Sequence, residues 1–111
     1  MARPARLMFR KKLDPAKVEE YIEAHDKIWP ETVEDIKLLG MKNFSIFLDE
    51  EESEVFGVFD VEDLDRYNEI GSTKREASAR WQEFMREMSL DKVSPKQGQR
   101  SIRREVFYLD V

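Results

Sequence analysis

The chain of 111 residues is 41% hydrophobic, 11% aromatic and 39% charged, with a formal net charge of -5 and no cysteine. This length and composition predict one packed domain over residues 1–111 and argue against a disordered chain. The acidic balance without a long basic cluster argues against nucleic acid as a partner, and the lack of cysteine excludes disulfides, thiolate metal sites and cysteine nucleophiles.

The first predicted elements are a strand and a helix. Residues 5–12 alternate in character, which is typical of a short strand. Asp14 and Pro15 then favour a helix start, because aspartate is a good N-cap and proline suits the first helical turn. Apolar and aromatic residues recur along this helix as far as Trp29. Pro30 must end or kink it, since proline lacks an N–H and restricts the residue before it.

The middle of the chain predicts a second helical segment and a hairpin. The helical segment covers residues 31–39 and stops at Gly40. Residues 42–49 alternate like a strand, the acidic residues up to 53 form a turn, and residues 54–61 form the returning strand.

The C-terminal part predicts helix, loop and strand. A helical region at residues 62–70 is interrupted by Gly71. A second main helix over residues 73–88 has an inward stripe formed by Ala77, Trp81, Phe84, Met85 and Met88. Residues 89–100 form a polar loop, and residues 104–110 form the final strand.

The element order β-α-β-β-α-β predicts an α+β fold of the ferredoxin-like kind, with a four-stranded antiparallel sheet and helices on one side. Several strands carry large apolar side chains on both faces. A sheet with one bare face would leave those groups in water. We therefore expect a second copy to cover that face, which gives a homodimer with two facing sheets.

Residues 18–32 contain the single histidine of the chain, His25. Tyr21 lies four residues before it and Trp29 four residues after it, so on one helix the three rings would share a face. Such a set can hydrogen-bond a polar ligand, stack on it and move a proton near neutral pH. One histidine cannot build a multi-histidine metal site, and no metal is expected.

No apolar run is long enough to cross a membrane. The N-terminus is basic but lacks a secretory apolar stretch. These features predict a cytoplasmic protein without a membrane partner.

One longer motif, Y-x-x-x-H-x-x-I-W-P-E, runs from Tyr21 to Glu31 and is far more specific than a lone glycine motif. The chain carries it together with Gly40, Asn43, Leu48-Asp49, Gly71-Ser72-Thr73, Arg80-Trp81, Met85 and a terminal E-V-F-Y-L. With these residues the chain resembles the L-rhamnose mutarotase family over nearly its whole length. The resemblance implies a small dimeric α+β barrel that interconverts the α and β anomers of L-rhamnose, a monosaccharide, without a cofactor.

The resemblance also implies site residues. The proton donor of the family falls on His25, and a substrate-contacting tyrosine on the same helix falls on Tyr21. A second substrate tyrosine falls at Phe44, which either lines the pocket or is a plain core residue. Two adjacent tryptophans of the last helix fall on Trp81 and Gln82, and the stretch before Trp81 is longer than the family form. The departures at Phe44 and Gln82 change the groups offered to the sugar.

Mutarotation needs a proton on the ring oxygen and the removal of one from the anomeric hydroxyl, which suits a group with a pKa near neutral. The sequence leaves the second acid–base group open among Asp60, Glu105 and a bound water.

Two other functions compete with this reading. One is a small dimeric monooxygenase, including haem-degrading enzymes, with His25 as haem ligand beside Trp81. The other is a non-catalytic sugar-binding module.

Overall fold

The computed structural model describes residues 2–73, 75–90 and 103–111. Its strands are β1 (Ala5–Lys12), β2 (Met41–Asp49), β3 (Glu54–Val61) and β4 (Arg103–Arg104). Its helices are α1 (Val18–Asp26), α2 (Pro30–Leu38), α3 (Leu64–Gly71) and α4 (Glu76–Glu87), and a 3-10 turn (Pro15–Lys17) precedes α1. Most of the predicted loop 89–100 lies outside the described residues.

The strands form one antiparallel sheet in the order β2-β3-β1-β4. Alternate residues of β1 and β3 point to the helix layer, and Leu7, Val55 and Phe59 are almost fully buried there. This arrangement confirms the predicted α+β fold of the ferredoxin-like kind.

Two clusters of buried residues fill the space between sheet and helices. The larger one lies under α1 and α4 and contains Leu13, Tyr21, Ala24, Val55, Trp81, Met85 and Met88. The smaller one centres on Leu7, Phe59 and Val61, with Leu64 and Tyr67 of α3 packed against it. The predicted inward stripe is confirmed: Trp81 and Met85 of α4 and Met88 at its C-cap are buried, and Ala77 and Phe84 are half-buried.

The predicted helix through Trp29 is wrong at its C-terminal end, since α1 ends at Asp26. Trp29 has φ -67° and ψ 137°, which is extended backbone at the N-cap of α2. Pro30 explains this, because a residue before proline is pushed out of the helical region. Trp29 therefore belongs to the bend between two helices and does not share a helix with His25.

The predicted final strand 104–110 is also wrong in length, because β4 ends at Arg104. Its neighbour β1 begins only at Ala5, and Pro4 before it has no N–H to donate. Residues 106–111 consequently have no strand partner within the described residues. Their large apolar side chains remain exposed: Val106, Phe107, Tyr108, Leu109 and Val111.

The sheet face turned away from the helices carries a row of apolar side chains. Phe47 pairs with Phe56 across β2 and β3, and Val58 pairs with Met8 across β3 and β1. Phe47 is 60% exposed. The Arg10 guanidinium lies 5.7 Å from the centre of the Phe56 ring. We call this surface, formed by Met8, Phe47, Phe56 and Val58, the open face.

Candidate active site

A cavity of about 360 Å³ lies between α1 and the helix-facing side of the sheet. The sheet supplies an apolar wall formed by Phe44, Ile46, Leu48 and Val55. Helix α1 supplies the polar side chains among the described lining residues, which are Tyr21, His25 and Asp26. A ligand here would meet hydrogen-bonding groups on the helix side and hydrocarbon on the sheet side.

His25 is held in a defined orientation by its own helix. Its Nδ1 lies 2.8 Å from the carbonyl oxygen of Tyr21, one turn earlier. A carbonyl can only accept, so Nδ1 carries the proton of this bond and Nε2 is left to exchange protons. Burial lowers the pKa of His25, with Lys11 acting in the same direction, while the Tyr21 carbonyl and the Asp26 charge oppose it. The neutral imidazole is therefore favoured near pH 7.

Aromatic rings pack against His25 on two sides. The centre of the Tyr21 ring lies 4.4 Å from that of His25, and the Trp81 ring lies 5.4 Å away, edge to face. Burial raises the pKa of the Tyr21 phenol, so its hydroxyl stays protonated and can donate a hydrogen bond to a ligand.

The predicted group of Tyr21, His25 and Trp29 is only partly brought together. Trp29 stacks on Phe84 with ring centres 5.3 Å apart and an interplanar angle of 6°. It touches Trp81 at 5.1 Å and does not line the cavity. Trp29 thus packs against Trp81 and Phe84.

Phe44 reaches the cavity because β2 contains a bulge. The register shifts between Lys42 and Ser45, and Asn43 has a φ of 52°, a left-handed conformation that asparagine tolerates. After the bulge Phe44 faces the helices, where it lines the cavity and packs 5.5 Å from the Phe59 ring. Of the two roles that the sequence left open, Phe44 is thus part of the cavity wall; it is 36% exposed and is not a core residue.

The two neighbouring residues of α4 that were predicted for the site, Trp81 and Gln82, lie in different environments. Trp81 is 9% exposed and contacts His25, but it is not a lining residue. Gln82 is exposed and does not line the cavity. Of these two residues, only Trp81 has a contact among the described residues that reaches the site.

The two acidic candidates for a second proton group lie elsewhere. Asp60 alternates with the buried Phe59 and Val61, so it points away from the helices. Its carboxylate is 2.8 Å from Arg6 Nε, and this bond lowers the pKa of Asp60. Glu105 is tied to the same guanidinium at 3.5 Å. Neither lines the cavity of His25.

Sequence reasoning missed Asp26, which lines the cavity beside His25. The signal was present, because Val18, Ile22 and Asp26 are spaced by four and line one face of α1. Sequence reasoning also missed Lys11, although a signal was present here too. Lys11 alternates with Leu7 and Phe9 along β1 and pairs with the buried Val55, so it faces the helices.

Within the described ranges, no three His, Cys, Asp or Glu side chains are grouped to hold a metal ion. No described helix has the length and apolar character to cross a membrane. The cytoplasmic location expected from the sequence stays a prediction.

Fold and cavity together define a class: a small ferredoxin-like α+β protein with a cavity of about 360 Å³ beside the histidine of its first helix. The family model for L-rhamnose mutarotase matches residues 6–109. An L-rhamnose mutarotase of Bacillus subtilis is 38% identical over 111 residues, which cover 99% of this chain and 100% of that protein. One from Listeria monocytogenes is 37% identical over 110 residues, covering 98% and 99%.

A solved structure agrees with the sequence relatives. The crystal structure of an L-rhamnose mutarotase from Formosa agariphila superposes with a TM-score of 0.70 at 30% identity, covering 95% of this chain and 98% of that chain. The chain belongs to the L-rhamnose mutarotase family. It is therefore an anomer-interconverting isomerase, and the comparisons favour this reading over the haem-linked and purely binding alternatives.

Proposed function

We propose that this enzyme interconverts the α and β anomers of L-rhamnose in the α1 cavity, with His25 as the group that gives and recovers a proton. The observation that carries the assignment is the fixed imidazole, which keeps Nε2 available in a cavity of suitable size. Among the residues that the resemblance implies for substrate binding, we propose Tyr21 and Phe44, which line the cavity, and Trp81, which packs against His25. Gln82 is exposed and does not line the cavity, so we do not place it against the substrate.

The reaction itself explains why so few polar groups suffice. Protonation of the ring oxygen and loss of the anomeric hydroxyl proton open the ring to the aldehyde. Rotation about the bond next to the aldehyde and reclosure then give the other anomer. A group that is neither a strong acid nor a strong base serves both directions, and an imidazole meets this requirement.

The two walls of the cavity suit a 6-deoxy sugar. The sheet wall offers side chains such as Ile46 and Leu48, which cannot bond a hydroxyl but can cover a methyl group. Helix α1 offers Tyr21 and His25 to the polar edge of the ring. We infer that the anomeric carbon and ring oxygen face α1 and the methyl group faces the sheet.

Saturation-transfer NMR of anomer exchange across a panel of sugars tests this function. We expect L-rhamnose, L-mannose or L-lyxose to exchange faster with the protein than D-glucose or D-galactose. Equal acceleration of all five sugars, or of none, would contradict the proposal.

The substitution Phe44→Tyr tests the role of the position where the family has a tyrosine. A phenol here would offer one further hydrogen bond to the sugar, and an unpartnered buried hydroxyl costs about 1–3 kcal/mol. We expect the variant to change the ratio of exchange rates between L-rhamnose and its analogues. A stable variant with an unchanged ratio would remove Phe44 from the substrate site.

We also propose that the enzyme works as a homodimer, with the open face and the exposed residues 106–111 covered by a second copy. A charge on the exposed β2 part of the open face should prevent this, because a buried interface excludes unpaired charge. Phe47→Glu is therefore expected to be monomeric in light scattering, while the native chain scatters as two copies. Leu38→Glu, at a 49% exposed position on α2, is the matched control and should remain dimeric. A native protein that is monomeric at micromolar concentration would refute the dimer.

A further inference from the structure

We propose that Asp26 is a specificity-determining residue, whose carboxylate accepts a hydrogen bond from the C2 hydroxyl of the sugar beside the anomeric carbon. The proposal rests on the function proposed above, since it places a monosaccharide in the α1 cavity with its reacting edge at His25.

Asp26 carries the only carboxylate among the described residues that line the cavity. It directly follows His25 and lies one helical turn after Ile22, another lining residue. Asp26 is exposed, so it stands at the mouth of the cavity, whereas Tyr21 is 5% exposed and lies deeper. The sugar edge at His25 therefore extends towards Asp26 on the solvent side.

The carboxylate of Asp26 is available for a ligand. Its helix neighbours are occupied, because Glu23 binds Lys27 at 2.9 Å and Glu20 binds Lys17 at 3.4 Å. The Asp26 side chain forms no hydrogen bond or ion pair with any residue in the described part of the chain. Its electrostatic influence reaches His25 and Lys27.

The position of Asp26 also disfavours a purely structural role. It is the last residue of α1, where the partial negative charge of the helix end repels a carboxylate. A residue that works against its local structure and faces a cavity is typical of a functional site. Removing it should leave the fold intact, which makes the position suitable for mutagenesis.

The C2 hydroxyl follows from the geometry of the ring. The anomeric carbon is flanked by the ring oxygen and by C2. The apolar sheet wall, with Ile46 and Leu48, offers no acceptor to a hydroxyl. With the anomeric hydroxyl and the ring oxygen at His25, the C2 hydroxyl is the next hydroxyl group of the sugar. It is the one from which the Asp26 carboxylate can accept a hydrogen bond.

The experiment compares Asp26→Asn and Asp26→Ala with the native enzyme on two sugars, L-rhamnose and its 2-deoxy analogue. A charged hydrogen bond of this kind should make the native enzyme prefer L-rhamnose by about 10- to 100-fold in kcat/KM. Asparagine keeps an acceptor oxygen without the charge, so it should retain part of the preference, and alanine should lose all of it. Glu23→Gln removes a carboxylate from the same helix outside the cavity and should keep the native preference.

The measurement is made about two pH units above the pKa of His25, so that its protonation is equal in all variants. The groups that influence this pKa are Lys11 from β1 and the Tyr21 carbonyl and Asp26 from α1, and uncharged Trp81 contacts the ring from α4. A graded loss from Asp to Asn to Ala, confined to the sugar with a C2 hydroxyl, supports the proposal.

The proposal is overturned if the preference for L-rhamnose over its 2-deoxy analogue is the same in all three proteins, whether the variants keep their activity or lose it equally on both sugars. If the native enzyme does not accelerate the anomer exchange of L-rhamnose at all, the proposed function itself is wrong. The two failures are therefore distinguishable.

Discussion

Replacing His25 by glutamine is expected to abolish most anomer exchange while leaving the fold and the assembly unchanged. Glutamine can still hydrogen-bond, but it cannot give and recover a proton near neutral pH. Groups of this kind contribute about 10²- to 10⁴-fold to a rate. The change should appear in kcat, because the side chain is proposed to act on the reacting atoms rather than only to hold the sugar.

The control for this variant is structural. Helical circular dichroism, thermal unfolding and light scattering should match the native protein. His25 is half-buried, and its hydrogen bond among the described residues goes to a carbonyl of its own helix. Glu23→Gln, on the same helix but outside the cavity, should keep the native rate. A folded His25→Gln enzyme with a near-native rate would remove His25 from the mechanism.

The largest expected effect on stability comes from the ion pair between α2 and the start of α4. Arg75 donates from Nε and Nη2 to the two carboxylate oxygens of Asp35, at 2.6 and 3.1 Å. The side chains are only 16% and 11% exposed, and Arg75 also donates to the Ile70 carbonyl. Arg75→Ala leaves the Asp35 charge without its partner in a poorly hydrated place. We expect it to lower the free energy of unfolding by about 3–5 kcal/mol.

A double variant separates the effect of the Arg75–Asp35 ion pair from the effect of changing either residue alone. Arg75→Met with Asp35→Leu removes both charges and fills similar volume, and such exchanges are often neutral or stabilising. We expect the free energy of unfolding of the double variant, measured with urea, to be close to that of the native protein. A single variant that costs less than about 1 kcal/mol, as exposed pairs do, would show that the pair is effectively hydrated.

The same pair bears on the active site. Arg75 is the N-cap residue of α4, and α4 carries Trp81 against His25. Loosening the start of α4 should therefore weaken the support of the imidazole. Arg75→Ala is expected to lose exchange activity at temperatures below its unfolding transition.

The elements of the fold could be predicted from residue patterns because most of them bury a regular stripe. The alternation of β1 and β3 and the spacing of Trp81, Met85 and Met88 on α4 indicate which faces are inside. The ends of elements were less predictable. The first helix was predicted to reach Trp29 because this aromatic residue has helical spacing, although Pro30 after it disfavours helix. The last strand was predicted too long because the pattern of residues 104–110 contains no information about where the neighbouring strand begins.

The site could be predicted in part. The resemblance and the helical spacing identified His25, Tyr21 and Phe44, which all line the cavity. Gln82 was expected from its place in the family motif, and no contact among the described residues connects it to the cavity. Asp26 was missed because a single charge at the end of a helix looks like solvated surface until the facing sheet is known.

The most direct test of the central claim uses the fact that the chain has one histidine. The imidazole Hε1 proton of His25 therefore gives a single NMR signal that needs no assignment. We predict that this signal shifts saturably as L-rhamnose is added to the native protein, in the same samples that show anomer exchange. Anomer exchange with an unmoved His25 signal at saturating sugar would place the reaction elsewhere and contradict the account.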